Sequence, residues 1–156
     1  MNSNVHPQID RDDFFLYVAR ALSGCQLIEQ ELKLYITEAL QLARKCIGRR
    51  MVFKITGEDY ADASLERLID GFKKLSDNES LITELRKFKD ERNFLSHRGI
   101  THCLDYEGDL FQSTAVEYQT RLVSLEKEAE RLRHALHAEA NKFRPQLGFG
   151  EFPDAG

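Results

Sequence analysis

Apolar residues recur at alternating steps of four and three along the first third of the chain. This spacing places them on one side of an α-helix and predicts a helix from about Asp12 to Ile47, with an apolar seam that packs against a neighbour. Gly48 follows directly and can adopt the positive φ that ends a helix. The seam residues are Phe14, Val18, Ala21, Cys25, Ile28, Leu32, Tyr35, Ala39, Leu42 and Cys46.

Two shorter amphipathic segments follow in the middle of the chain. The first predicts a second helix that begins near Asp62 or Ser64, because either side chain can cap a helix N-terminus. Ser76 followed by Glu79 matches a capping box and predicts the start of the third helix, which we expect to end by Gly99.

A fourth helix is predicted from about residue 113 to 141, where the four-and-three spacing returns. The segments 49–61 and 100–112 are predicted as irregular connections, and the first contains a run over 51–55 that could be extended. The chain is therefore expected to be all-α, an up-and-down four-helix bundle with long first and last helices.

We expect a single domain, because 156 residues suffice for one core and are too few for two comfortable ones. Residues 1–11 are predicted to form an N-terminal arm and 12–141 the helical domain. The segment 142–156 contains two of the three prolines, and we expect it to be a loosely ordered tail.

An arginine interrupts the apolar stripe of the third helix. Helical spacing back from Leu95 leads to Arg92, Phe88, Leu85 and Leu81, so a permanently charged guanidinium occupies a position that otherwise faces the core. A half-buried guanidinium is costly without a partner. The sequence therefore predicts an acidic side chain or an anionic ligand at Arg92.

Glu29 is the candidate acid for Arg92. It is the charged member of a row beside the seam of the first helix that also contains Leu22, Ile36 and Ala43. We expect Glu29 to pair with Arg92 across two packed helices. The alternative is that Glu29 lies on a solvated flank of its helix.

Arg92 and three polar residues that follow it can together act on a phosphodiester. An imidazole is the side chain best suited to proton transfer at neutral pH, which makes His97 the candidate for that step, whereas Arg92 offers a charged fork to phosphate oxygens. Asn93 lies one turn before His97 and could orient the imidazole, and Ser96 is a second supporting candidate. In the alternative interpretation, His97 caps the helix C-terminus and Arg92 serves only to satisfy Glu29.

Arg92, Asn93, Ser96 and His97 resemble the Arg-x4-His motif of the HEPN superfamily of small helical domains. The resemblance implies a metal-independent endoribonuclease without a cofactor, acting as a homodimer in a toxin-antitoxin or phage-defence system. It also implies a cognate antitoxin or regulatory protein as partner. Some members have lost catalysis and serve as dimerisation, nucleotide-binding or protein-binding modules, which is the alternative function. HEPN toxins partnered with a nucleotidyltransferase antitoxin often carry a tyrosine two residues after the histidine, where this chain has Gly99, so nothing in the sequence supports that route of regulation.

The spacing within the motif favours a dimer. Arg92 and His97 are separated by roughly 7.5 Å along an ideal helix and about 140° around it, so one copy does not present both to one phosphate. A two-fold axis near the motif helices would face each motif with its symmetry mate. The resemblance implies products with a 2′,3′-cyclic phosphate and a 5′-hydroxyl.

Charge restricts how RNA could bind. The formal net charge is −4 and the pI is about 5.8, which disfavour broad electrostatic capture of nucleic acid. A structured RNA such as tRNA, held at a few points, fits this composition better. Two local basic clusters could supply those points: Arg86, Lys87, Lys89, Arg92 and Arg98 on the third helix, and Arg44, Lys45, Arg49, Arg50 and Lys54 around the end of the first.

Other classes of function have weaker signals in the sequence. No apolar window is long enough for a membrane span and no secretory signal is present, so we expect a cytoplasmic protein without a membrane partner. Cys25, Cys46 and Cys103 favour buried free thiols over disulfides. His134 and His137 with Glu130 could form a metal site, but surface positions on a charged helix are the favoured interpretation, and no metal is expected.

Overall fold

The computed structural model describes residues 9–104 and 109–148, and within these ranges the protein is all-helical. This confirms the predicted all-α class, but the predicted up-and-down order is wrong: Arg20 on the first long helix pairs with Glu126 on the last, and Glu38 further along pairs with Arg144 just after it, so the two long helices run in the same direction. The elements are α1 (Arg11–Ile47), a 3-10 turn (Gly57–Tyr60), α2 (Leu65–Lys73), α3 (Glu79–Leu104), α4 (Asp109–Ala140) and α5 (Arg144–Gly148). The long helices α1 and α4 pack along each other, while α3 packs against α4 and α2, and α2 also contacts α1.

Both ends of α1 lie where the sequence predicts them, within one residue. At the N-terminus, the Asp10 carboxylate accepts a hydrogen bond from the Asp12 backbone N–H at 3.3 Å. At the C-terminus, Gly48 has a φ of 59°, and its N–H donates to the Arg44 carbonyl at 3.0 Å. A side-chain cap at one end and a glycine at the other satisfy backbone groups that a helix cannot pair internally.

The second helix starts as predicted and the third does not. The Ser64 hydroxyl accepts a hydrogen bond from the Arg67 N–H at the start of α2. The predicted Ser76–Glu79 capping box is wrong, because the Asn78 carbonyl oxygen Oδ1 accepts the Leu81 N–H at 3.1 Å and caps α3 instead. Ser76 Oγ accepts the Asn78 N–H and donates to Glu139 on α4.

The end of α3 also differs from the prediction. The helix continues through Gly99 to Leu104 and α4 already begins at Asp109, so most of the predicted connection 100–112 is helical. A single glycine costs a helix only about 1 kcal/mol relative to alanine, and residues 100–104 contain no further glycine and no proline. The motif therefore lies within α3 and not at its end. Residues 105–108 lie outside the described ranges.

The segment between α1 and α2 contains no strand within the described residues. Residues 52–56 have no regular secondary structure, and a 3-10 turn over Gly57–Tyr60 follows. The Thr56 N–H donates to Asp59 Oδ2 at 3.0 Å. Gly57 lies directly against Thr37, and any side chain at this position would collide with the threonine hydroxyl.

The core is continuous from α1 to α4, and most of the seam that the sequence predicts lies inside it. Cys25 is buried as expected, but Cys46 is exposed because it lies in the last turns of α1, beyond the cover of α4. The buried-thiol prediction is therefore wrong for Cys46, and the Cys103 side chain is outside the described part. The largest fully buried side chains are Phe14, Phe72, Ile28, Leu32, Ile36, Leu68, Ile69, Ile82, Leu85, Leu132 and Leu136.

The beginning of the predicted loose tail is packed. Arg144 at the start of α5 donates from Nε to Glu38 Oε2 on α1 at 2.7 Å. Lys45 Nζ donates to the Leu147 carbonyl, also at 2.7 Å. The Phe143 ring meets the Tyr35 ring edge-on at 5.2 Å between centroids. These contacts attach residues 143–147 to α1, whereas residues 149–156 and the predicted arm up to residue 8 lie outside the description.

No helix in the described ranges combines the length and the hydropathy that a transmembrane segment needs.

Glu139 near the end of α4 connects that helix to the turn between α2 and α3. Its side chain is almost fully buried, and its carboxylate accepts hydrogen bonds from Ser76 Oγ at 3.2 Å, Asn78 Nδ2 at 3.1 Å and Lys142 Nζ at 2.8 Å. Burial by itself raises the pKa of Glu139, but the three donors together outweigh it and lower the pKa below its ordinary value.

We predict that Glu139→Gln lowers the free energy of unfolding at neutral pH by about 1–3 kcal/mol. A lowered folded-state pKa means that the ionised carboxylate stabilises the fold above the unfolded-state pKa of about 4.3, and that this stabilisation is lost as pH falls through the folded value. Urea unfolding from pH 7 to pH 3 should show the difference between wild type and variant shrinking in acid. A difference that stays constant over this range would contradict the prediction.

Candidate functional site

Arg92 lies between α1 and α3, and two side chains hold its guanidinium. Nη2 donates to Glu29 Oε1 at 3.3 Å, and Nη1 donates to Asn93 Oδ1 at 3.2 Å. The predicted contact between Glu29 and Arg92 is therefore present, and Glu29 does not lie on a solvated flank. Their side chains are 24% and 33% exposed, so both remain in contact with solvent.

One hydrogen-bond donor of Arg92 is unsatisfied. Its Nε is buried and has no hydrogen-bond partner. An unpaired buried N–H costs roughly 1–3 kcal/mol, and a half-buried ion pair recovers little of the cost of its desolvation. For folding alone, an apolar residue at position 92 would continue the stripe without this cost. The arginine therefore calls for a role beyond packing.

The thiol of Cys25 completes the α1 side of this site. Cys25 is 2% exposed, and burial raises its pKa to about 11 although the nearby Arg92 acts in the opposite direction. A thiol with such a pKa is protonated at neutral pH. Cys25 therefore supplies an uncharged, apolar wall to the Arg92 site and no nucleophile.

His97 lies on a different side of α3. Its side chain is exposed, while Arg92 points towards α1. The two are about 140° apart around an ideal helix. The alternative in which His97 caps the helix C-terminus is wrong, because α3 continues to Leu104. Ser96 Oγ donates to the Asn93 backbone carbonyl at 3.2 Å, so its hydroxyl serves the helix backbone.

A second cluster between α3 and α4 directly flanks the motif. Arg121 on α4 donates from Nε and Nη2 to both carboxylate oxygens of Glu91 at 2.8 Å. The same guanidinium lies 3.9 Å from the centre of the Phe94 ring, which also stacks with Tyr118 at 6.3 Å. A bidentate ion pair and a cation–π contact together fix the turn of α3 that carries Arg92 and Asn93.

Sequence reasoning missed this cluster. Glu91 and Phe94 are three residues apart and share one face of α3, which is a local signal for a common partner. Nothing in the spacing of α4 singles out Arg121 from the other charged residues of that helix. Only the packing of α3 against α4 brings the three together.

The basic residues predicted to bind RNA are dispersed. Arg86 pairs with Asp70 at 3.6 Å, and Lys89 pairs with Glu66 at 3.5 Å, so both face acids of α2. Arg98 lies over the Phe94 ring at 5.3 Å. Arg49 and Arg50 are exposed in the loop after α1 and are not brought to the motif.

The described residues contain no group of three or more histidine, cysteine, aspartate or glutamate side chains arranged to hold a metal ion. His134 Nε2 lies 3.0 Å from Glu130 Oε1 on the same helix. His137 Nδ1 instead lies 2.8 Å from Arg144 Nη1. Because His137 faces the start of α5, the two histidines do not share a ligand.

We predict that Glu29→Leu lowers the free energy of unfolding by about 1–3 kcal/mol, because it leaves the Arg92 guanidinium half-buried without its counter-charge. The double variant Glu29→Leu with Arg92→Leu should recover most of this loss, since two apolar side chains then replace the ion pair. Urea unfolding measures both. The control is Glu58→Leu, at an exposed acid outside any ion pair in the described chain. Additive losses in the double variant would contradict the prediction.

No family model matches the chain, and no curated protein or solved structure matches it.

Proposed function

We propose that the protein is a metal-independent endoribonuclease of the HEPN type, with Arg92, Asn93 and His97 as its catalytic residues. The observation that supports this most directly is the Arg92 site. A half-buried guanidinium, held by Glu29 and Asn93 at a cost to folding, lies five residues before an exposed histidine. An orienting acid and an amide fix the fork of the arginine for a phosphate.

The proposed chemistry is an internal attack on the phosphodiester. His97 takes the proton from the 2′-hydroxyl, and the oxygen attacks the adjacent phosphorus. Arg92 stabilises the charge that develops on the phosphorane oxygens. The bond between phosphorus and the 5′-oxygen then breaks, and this oxygen takes up the proton that the imidazolium carries, which gives a 2′,3′-cyclic phosphate and a 5′-hydroxyl. Neither step needs a metal or a cofactor.

The angle between Arg92 and His97 around α3 supports a homodimer with the two motif helices near the two-fold axis. In such a dimer each copy supplies groups to a shared site, as an isologous interface allows. The arrangement within one copy is then a HEPN-type four-helix bundle of α1 to α4, to which α5 is added. We place the protein in the cytoplasm, as a toxin or effector of a toxin-antitoxin or phage-defence system.

A structured RNA such as tRNA remains the proposed substrate. Arg98, Arg49 and Arg50 are exposed and available to phosphates, whereas Arg86 and Lys89 must exchange their acidic partners on α2 for the RNA. A few separated contacts suit a folded RNA of defined shape better than a long single strand.

The test is to incubate the purified protein with a total tRNA fraction in the presence of a metal chelator and to map the RNA ends. New 5′-hydroxyl and 2′,3′-cyclic phosphate ends that accumulate with enzyme concentration are expected. Induction in a bacterial host should produce the same ends together with growth arrest. A folded protein that produces no new ends in either setting would refute the proposal.

A non-catalytic binding module is the second candidate, and the surface of α1 favours it. Leu16, Leu27 and Leu34 lie on one side of that helix and are 56%, 41% and 44% exposed. Apolar residues in one row are available to another helix. A dimer that buries these leucines, with both motifs facing away from the axis, would favour this candidate. A cross-link between the two copies at position 27 would support the binding module, whereas a cross-link at position 97 would support the catalytic dimer.

A further inference from the structure

The loop from Arg49 to Ile55, here called the 49–55 loop, presents apolar side chains to solvent. Met51, Val52 and Ile55 are 62%, 75% and 53% exposed, which are among the largest exposures of bulky apolar residues in the described chain. Phe53 in their midst is partly buried and packs against the core. One aromatic ring thus anchors the loop to the bundle while its neighbours project outwards.

The backbone of the same loop is unpaired. Within the described residues, the amides and carbonyls of residues 51–55 form no hydrogen bond with the rest of the protein. The run Met-Val-Phe-Lys-Ile has the composition of a strand, but no neighbouring strand is present in those ranges. Free backbone donors and acceptors beside exposed aliphatic side chains are the features of an open sheet edge.

The loop also carries concentrated positive charge in an acidic protein. Arg49, Arg50 and Lys54 are exposed, and none forms an ion pair in the described part of the chain. The whole chain has a formal net charge of −4. A ligand that satisfies this loop must therefore bring negative charge together with apolar surface.

We propose that the 49–55 loop is a docking strand for an extended, acidic segment of a partner protein, which adds to it by backbone pairing. A paired strand satisfies the backbone groups, covers Met51 and Ile55 on one face and Val52 on the other with its own alternating side chains, and places carboxylates beside the cations. RNA fits less well, because aliphatic side chains offer bases no stacking surface. A bilayer fits less well, because unpaired backbone groups are costly at an apolar surface.

This inference does not depend on the proposed catalytic site. Arg49 and Arg50 are common to both proposals, so an acidic segment and an RNA would compete for these two side chains. The end of α1 at Ile47 lies about 27 Å along the helix from Glu29, at 1.5 Å per residue, so a segment bound to the loop need not cover the Arg92 site. The two proposals can consequently fail separately. Loss of RNA cleavage would leave the docking strand untouched, and loss of peptide binding would leave the nuclease untouched.

Three synthetic peptides and the full chain test the proposal. The first alternates glutamate and valine, the second alternates lysine and valine, and the third repeats the first with a central proline that interrupts backbone pairing. Fluorescence anisotropy should show at least tenfold tighter binding of the acidic peptide than of either other peptide. Amide signals of residues 51–55 should shift in NMR spectra only with that peptide.

Matched variants locate the binding surface. Val52→Ser and Lys54→Gln should each weaken binding of the acidic peptide several-fold. The controls Val116→Ser and Lys127→Gln replace exposed residues of the same types on α4 and should leave binding unchanged. Equal affinity for the three peptides, no binding by any of them, or equal effects of loop and control variants would overturn the proposal. Loop-dependent binding of a tRNA or of anionic vesicles in place of the acidic peptide would overturn it as well.

Discussion

Replacing His97 with alanine is expected to slow RNA cleavage by about 10²–10⁴-fold, the usual contribution of a positioned general acid or base. The histidine is exposed on α3, so its truncation should leave the fold intact. Single-turnover cleavage of one defined tRNA by wild type and variant, at equal protein concentration, measures the effect. Circular dichroism and urea unfolding of the variant should match the wild type.

Arg98→Ala is the matched control for His97→Ala. Arg98 is the next residue on the same exposed stretch of α3 and contacts the Phe94 ring, so truncation there tests general disturbance of this helical turn. We expect a loss that is at least tenfold smaller and that affects RNA affinity more than the rate of the bound complex. Similar losses in cleavage rate for both variants would contradict a specific proton-transfer role for His97.

Replacing Phe72 with alanine is expected to lower the free energy of unfolding by about 3–5 kcal/mol. Phe72 on α2 is fully buried, and its ring meets Tyr35 of α1 edge-on at 4.7 Å between centroids. Truncation removes this contact and leaves a cavity between α1 and α2 that the surrounding helices can fill only in part. Urea unfolding followed by far-UV circular dichroism measures the loss.

Phe15→Ala is the control for Phe72→Ala, because it removes the same side chain from a different position. Phe15 lies at the start of α1, is 39% exposed and has the Arg11 guanidinium 5.3 Å from its ring centre. Its truncation leaves no enclosed cavity, and we expect a loss of about 1 kcal/mol or less. A loss at Phe15 as large as the loss at Phe72 would contradict the assignment of the core to the α1–α2 contact.

The Arg92 site joins fold and proposed function in one structural feature. Glu29 on α1 and Asn93 on α3 orient the guanidinium, and Arg121 on α4 holds the same turn of α3 through Glu91. A side chain held by packing and hydrogen bonds on two helices is more precisely placed than one on a loop. Thus the bundle places the arginine rigidly while the exposed histidine remains accessible.

Local pattern by itself determined the helical class, the bounds of α1 and the start of α2. These features depend on groups close in the sequence: the seam spacing, Gly48 after the last turn, and Ser64 before the first. The local pattern also indicated that Arg92 needs an acidic partner and that Glu29 lies in the row beside the apolar seam of the first helix. A charge inside an apolar stripe is a strong local signal, because burial without a partner is so costly.

Only the tertiary structure decided the rest of the site and the ends of the other helices. Arg121 with Glu91, Arg144 with Glu38 and Glu139 with Ser76 join residues far apart in the sequence. Many surface charges could have formed such pairs. The packing of whole helices decides which of these charges meet. The same packing leaves Cys46 exposed. It also brings Ser76 to Glu139, and Asn78 caps α3 in place of Ser76. Local propensity predicts which helices form, whereas the three-dimensional arrangement of helices selects the side chains that meet.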